Sequence, residues 1–446
     1  MRTLLKQRLD LILTRRLGAN YFSYLDNIFW LASERALQFA LAFFAGAYVA
    51  RFLGPDQYGL LGYAQGVVSM TATVTTLGID DIVVRQLVID PTKRYEYLSA
   101  AALLRLTVGL FFVALAAIYC AASSLSDRSP HLILIMTLTL PVSAIGVLAL
   151  DLQAIVASKQ AALARASQSV ICSLLRLMSS LFKFPLVAFA WINTLEGPLF
   201  GTILVARHRR AAPPVRVKIP RLSTLAYLFG QGWPLLLSSI SVILYMKMDQ
   251  IMLKFMCGDL ETGIYLAAVR LSELWNFIPV VICSSIYPSI LKARETDSVK
   301  HAKRMQLLFD GLYFISLALS VFSTLFAAPI VKTLFGSAYL ASVPVLQVHI
   351  WSTIAVFLGI ASGQWLVAEG LQFISLIRTA FGLLVNLMLN LVLIPNYGAL
   401  GAAVATTVSY SVAVFAGLLL SRRSRPAFSM LLRTVFLYRL WRYEPS

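Results

Sequence analysis

Charge is scarce in this chain, and acidic charge scarcest of all. Only 13% of its 446 residues are Asp, Glu, Lys or Arg, against 59% that are hydrophobic. A soluble protein of this length would need far more polar surface to cover its core. Cysteine is nearly missing: Cys120, Cys172, Cys257 and Cys283 lie in or beside apolar runs with no paired spacing. They are read as packing residues, not as disulfides or metal ligands. His131, His208, His301 and His349 fall at loops or span edges without a second ligand nearby, which argues against a metal site. No glycine-rich phosphate loop occurs, so ATP is not the direct energy source. Residues 1–20 hold five Lys and Arg but no apolar core followed by a small-residue site, so no cleavable signal is expected. None of the loops is long enough to fold as a domain, and any chemistry belongs inside the apolar part.

What the chain does have is apolar runs of about twenty residues, the length that crosses a bilayer. They predict an all-α polytopic membrane protein with about 12 transmembrane helices, at roughly 28–50, 60–77, 98–122, 132–156, 167–181 and 186–206, then 233–253, 263–290, 307–327, 345–367, 371–394 and 402–420. A loop carrying Arg85, Lys93 and Arg94 follows the second span. The net charge of +18 does not point to nucleic acid, because the Lys and Arg crowd into alternate loops. That is the pattern of an inserted protein, with both termini cytoplasmic. The expected organisation is a basic segment (1–20), a first half (21–206), a basic proline-bearing linker (207–223), a second half (224–420) and a basic tail (421–446) that lies along the inner surface.

The two halves also repeat a turn. Gly54, Gly59 and Ala64 recur 204 residues later as Gly258, Gly263 and Ala268, each set between two apolar runs. Glycine allows a tight turn to close one helix and open the next, and small residues beyond it let helices approach. A repeat near half the chain length points to two similarly built halves, a plan recurrent in transporters.

Six stretches, taken in order, resemble one family: VARFLGPDQYGLLGYAQ (49–65), TTLGIDDIVVRQL (75–87), MDQIML (248–253), GIYLAAVRLSELWNFIP (263–279), LFGSAYLASVPVLQV (334–348) and LIPNYGALGAAVATTVSY (393–410). The chain is similar to the polysaccharide transporters, the O-antigen and exopolysaccharide repeat-unit flippases of the multidrug/oligosaccharidyl-lipid/polysaccharide exporter superfamily. The resemblance runs from about residue 26 to 420. It implies two pseudo-symmetric six-helix bundles around a central cavity in a bacterial inner membrane. It also implies alternating access, and an undecaprenyl-diphosphate-linked oligosaccharide moved from the cytoplasmic to the periplasmic leaflet. Membrane lipids and polysaccharide assembly proteins are the expected partners, and an internally duplicated bundle can work as a monomer.

Such a cargo is an anion with a polar head and a long apolar tail, so basic groups within spans are the candidates for binding it. Arginine suits bidentate capture of phosphate oxygens. Arg270 leads, because YLAAVRL resembles the arginine-bearing segment of the related lipid II flippases. Its rival reading is an ion pair with Glu273 at i+3. Arg35 follows, near Glu34 and Gln38; Arg51, Arg105, Arg176 and Arg378 complete the set, each with a structural alternative such as snorkelling. Lys247 and Asp249 are two apart on a helix and so face different ways. Glu273, Glu196 and Asp249 are the acids within spans that could carry a coupling proton or sodium ion, with Glu196 and Glu273 ahead for a proton because both lie within apolar spans. The resemblance of DQIML favours a structural, helix-end role for Asp249, and no other cofactor is expected. Asn386 and Asn390, one turn apart, are placed to bond across helices. The competing functions are a multidrug cation antiporter of the same superfamily, whose cavity should be acidic, a membrane glycosyltransferase or polymerase, which would need a sizeable outer loop, and a scaffold.

Overall fold

The computed structural model describes residues 19–123, 128–213, 218–419 and 421–436, and of residues 19–40 only the backbone. These residues are almost wholly helical, and no strand occurs among them. The first half comprises α1 (Ala19–Thr75), α2 (Asp80–Ile89), α3 (Arg94–Ala122), α4 (Ser129–Thr137), α5 (Thr139–Val142), α6 (Val147–Ala154), α7 (Ser158–Leu181) and α8 (Leu186–Ala211). The second comprises α9 (Leu222–Glu273), α10 (Phe277–Thr296), α11 (Ser298–Leu325), α12 (Ala327–Leu334), α13 (Ser342–His349), α14 (Ser352–Ala368), α15 (Gln372–Leu419) and α16 (Arg425–Val435).

Eight stretches among the described residues are long and apolar enough to cross a membrane. Three of them, Phe43–Ile89, Leu222–Tyr287 and Phe373–Leu419, each hold two predicted spans. The break inside each is a glycine at positive φ: Gly54 (73°), Gly258 (87°) and Gly398 (52°). A side chain at such a φ is strained, and glycine is not. The predicted span at 167–181 falls on α7, which is not among those eight stretches.

Several expected boundaries shift, each for a local reason. The span read at 132–156 is four short helical pieces, because Pro141 cannot donate a backbone N–H and the chain tightens to i→i+3 bonds such as Leu138 N to Ile135 O at 3.3 Å. The span at 345–367 is likewise divided into α13 and α14. The loop expected around Arg85 is α2, which buries Ile82, Val83 and Leu87. The linker begins later than read, since α8 continues to Ala211. α11 begins at Ser298, ahead of the apolar run, because Asp297 caps it by accepting from the backbone N–H of Val299 and Lys300, both at 3.0 Å.

The tail helix α16 buries Ala427, Leu431 and Thr434 and packs on α11. Gln306 Nε2 donates to Thr434 Oγ1 at 2.7 Å, and that hydroxyl donates to Asp310 Oδ1 at 2.7 Å. The segment at 1–18 and the chain end at 437–446 lie outside the described residues.

α1 packs most extensively on α9, and the two repeated turns meet there. A Cβ on Gly59 would collide with the carbonyl of Asp259, and one on Gly263 with the carbonyl of Pro55. Positions 55 and 59 correspond to 259 and 263 under the 204-residue offset, so the contact is reciprocal. The main hydrophobic core wraps it, drawing Ala50, Tyr58, Leu61 and Ala64 from the first half and Leu253, Tyr265, Ala268 and Tyr339 from the second. Tyr339 Oη donates to the carbonyl of Ala50 at 2.8 Å, tying the α12–α13 connection to the end of the first segment of α1.

Candidate functional site

Deeper than the turns, α1 and α9 diverge around a cavity of about 310 Å³. Its first-half wall is the segment after Gly54, with Tyr58, Gln65 and Ser69; its second-half wall is α9, with Lys247, Gln250, Arg270 and Glu273. Arg270 stands twelve residues beyond the Gly258 break, about 18 Å along the helix. Its Nη1 donates to Tyr58 Oη across the two halves at 2.7 Å, and Gly46 leaves the room that its guanidinium fills. Glu273, the carboxylate at i+3 from Arg270, lines the same cavity. Lys247 lies on the same wall. Among the described residues, two cations face this cavity with one carboxylate, that of Glu273.

The other arginines go elsewhere. Arg105 is buried in the first half, ion-paired with Asp80 and donating to the carbonyl of Ser143 at 3.4 Å. Arg176 joins α7 to α8 through an ion pair with Glu196 and a 2.6 Å bond to Asn193 Oδ1, so both a binding candidate and a coupling candidate are spent on one link. Arg51 is exposed where the first segment of α1 ends and donates to the carbonyl of Thr333 at 3.2 Å. Arg378 is buried in the second half, within a separate chamber. Arg35 lies on α1, but its side chain, like those of Glu34 and Gln38, is outside the described residues.

Asp249 points away from Lys247, as the spacing required. It is 3% exposed, deep among α9 and the two segments of α15. Its Oδ2 accepts from Tyr265 Oη at 2.7 Å and from Thr406 Oγ1, while Oδ1 accepts from Asn390 Nδ2 at 2.6 Å. Asn390 Nδ2 also donates to Asn386 Oδ1 at 3.0 Å. The amide oxygen of Asn390 is buried and accepts nothing. Neutral donors thus surround a carboxylate that has no cationic partner among the described residues, and a bare carbonyl oxygen belongs to the same cluster.

Sequence reasoning missed several members of this architecture. Tyr58 lies within the stretch 49–65 with nothing in the sequence to single it out, since the partner of its hydroxyl lies 212 residues away. Asp151 was overlooked at the end of a span. It is buried, accepts from Arg94 Nε at 2.6 Å and pairs with His208 Nε2 at 2.6 Å, so it holds α3, α6 and α8 together. His208 and His349, in the last turns of α8 and α13, are buried and bonded, and His349 Nδ1 meets Ser272 Oγ at 2.7 Å. No group of three or more His, Cys, Asp and Glu able to hold a metal occurs among the described residues.

The family model described as "Polysaccharide biosynthesis protein" matches residues 24–294. The chain belongs to that family. Among curated proteins it is similar to "Probable flippase AglR" of Haloferax volcanii, 30% identical over 203 residues that make up 44% of this chain and 40% of that protein. It is also similar to "Probable low-salt glycan biosynthesis flippase Agl15" of the same organism, 24% identical over 44% of this chain and 42% of that one. The chain thus spans about two fifths of the length of each relative.

Among solved structures, the chain shares the fold of "Lipid II flippase MurJ" in an inward closed conformation. The TM-score is 0.72 at 12% identity, over 93% of both chains. An inward-facing multidrug resistance MATE transporter of the MOP superfamily gives a TM-score of 0.71 at 17% identity, over 90% of this chain and 96% of that one. A MOP superfamily transporter of Pyrococcus furiosus gives 0.63 at 18% identity, over 91% and 96%.

Proposed function

We propose that the protein is a flippase for an undecaprenyl-diphosphate-linked oligosaccharide, moving it from the cytoplasmic to the periplasmic leaflet of a bacterial inner membrane. The observation that carries this reading is the cavity between the halves, where, among the described residues, Arg270 and Lys247 face one carboxylate. A positive cavity inside an apolar protein suits an anionic head whose tail stays in lipid, and it ill suits the cation of a multidrug antiporter. The relatives named as flippases, and the fold shared with a lipid II flippase, support the same conclusion. Assignment to a non-enzymatic transporter follows, with both termini on the cytoplasmic side.

In this mechanism, the halves 21–206 and 224–420 rock about the α1–α9 contact, and the cavity opens first to one side and then to the other. A diphosphate leaving an inside-negative cell gains about 2.3 kcal/mol per charge per 100 mV. Asp249 is the coupling group: its carboxylate with the bare Asn390 oxygen takes a proton or a sodium ion. Glu196 is set aside for that role because Arg176 already neutralises it.

The test is a leaflet assay in cells lacking the protein, complemented with wild type, Arg270→Ala or Arg35→Ala. Lipid-linked oligosaccharide that builds up in the cytoplasmic leaflet, relieved by wild type and not by Arg270→Ala, is the expected result. Equal distribution in every strain would remove the flippase reading.

A further inference from the structure

The second half encloses a chamber of about 300 Å³ beside the central cavity, and Glu273 lines both. Its wall is mainly apolar and also carries groups that can hydrogen-bond hydroxyls: Ser272, Asn276, Ser352, Thr353 and Thr379. Tyr245 and Tyr410 stand together there, ring centroids 4.7 Å apart. The hydroxyl of Tyr245 is buried without a hydrogen-bond partner.

Arg378 is the cation of this chamber. It is 8% exposed, and its partners are neutral: Nη1 donates to Ser362 Oγ at 2.7 Å and Nη2 to the carbonyl of Gly359 at 3.3 Å. No carboxylate pairs with it among the described residues. A buried charge left uncompensated is strongly unfavourable, and a salt bridge or a bound anion relieves it. The fold nonetheless makes room for this side chain, since a Cβ on Gly417 would collide with Arg378 Cγ. Packing alone would be served better by an apolar residue of similar length.

We propose that this chamber is a subsite for an acidic sugar of the cargo, in which Arg378 binds the carboxylate of a uronate-type residue and the surrounding hydroxyls and amide bind its ring. The proposal rests on the flippase reading and deepens it. The diphosphate sits at Arg270 and Lys247 in the central cavity, and the glycan extends past Glu273 into the second half. A carboxylate carries one negative charge where a phosphate carries up to two, so it meets less repulsion from Glu273 at the junction on its way to Arg378.

The experiment is equilibrium binding to full-length protein in nanodiscs. The probes are a short oligosaccharide carrying one uronate and the same oligosaccharide with that carboxyl reduced to the alcohol. Wild type is expected to bind the uronate form at least about tenfold more tightly, as a charge-assisted bond implies. Arg378→Gln should bind the two forms alike, Arg378→Lys should keep part of the preference, and Arg270→Ala should keep all of it. Equal affinities in wild type, or a preference that survives Arg378→Gln, would overturn the assignment. Should Arg378→Gln fail to fold, wild type decides with inorganic phosphate as competitor. Phosphate binding as tight as the uronate probe would make this a free-anion site and sink the glycan assignment, whereas weak competition supports it. A leaflet assay that fails while the uronate preference holds would reject the flippase reading and leave the subsite standing.

Discussion

Asp249 shows how a single side chain can be both structural and functional. Its carboxylate accepts from Tyr265, Thr406 and Asn390, so truncation leaves buried donors unsatisfied. Asp249→Ala is expected to lower stability by about 1–3 kcal/mol or more, and Asp249→Asn by less, read as thermal unfolding in detergent. A coupling role adds a second signature. Wild type should gain thermal stability when sodium replaces choline, or when pH falls if the ion is a proton, and Asp249→Asn should gain nothing. At Arg270, Tyr58→Phe removes only the cross-half acceptor, so it should reduce transport far less than Arg270→Ala. The opposite directions of Lys247 and Asp249 were legible in the sequence, because residues two apart on a helix cannot share a face. Their partners were not. Asn390 lies 141 residues from Asp249, and one-dimensional spacing carries no information on which helix stands beside which.

Between elements, the decisive joints are the two glycine turns. Gly59→Val pushes a side chain against the Asp259 carbonyl, and Gly263→Val does the same to Pro55. Either should part the halves at that end and impair transport. The native Cys257, one residue before the second turn and bonded to the carbonyl of Ile394 at 3.5 Å, serves as reporter. With the other three cysteines replaced, it should react faster with an impermeant maleimide in Gly59→Val than in the parent. The α11 cap yields a pH prediction. Asp297 is held below the ordinary carboxylate range by the backbone N–H of Lys300, helped by that of Val299. A depressed folded value means that its stabilisation is full above the ordinary carboxylate pKa and fades as pH falls through the folded one. Melting temperatures of wild type and Asp297→Ala should therefore differ at neutral pH and converge in acid. Most elements could be read from apolar runs and turn glycines. The fragmented α4–α6 region could not, since its apolar run is continuous and only Pro141 marks the tightening.

For the whole molecule, the flippase reading makes transport respond to membrane potential. In proteoliposomes, collapsing an inside-negative potential should slow outward movement of a diphosphate-linked glycan more than that of a neutral lipid probe. A rate indifferent to potential would count against net anion export. The pairing of the two repeated turns was foreshadowed by the 204-residue repeat. The positive cavity was only half visible, because counting basic residues within spans cannot separate Arg270, which faces it, from Arg105 and Arg176, which are tied to acids.

The reciprocal glycine contact also bears on symmetry. Position 59 meets 259 while its counterpart 263 meets 55, which is the signature of an isologous, two-fold interface written within one chain. Each turn therefore presents to the other the same kind of surface that it receives, so the two halves meet across a pseudo-two-fold axis as two subunits of a dimer would.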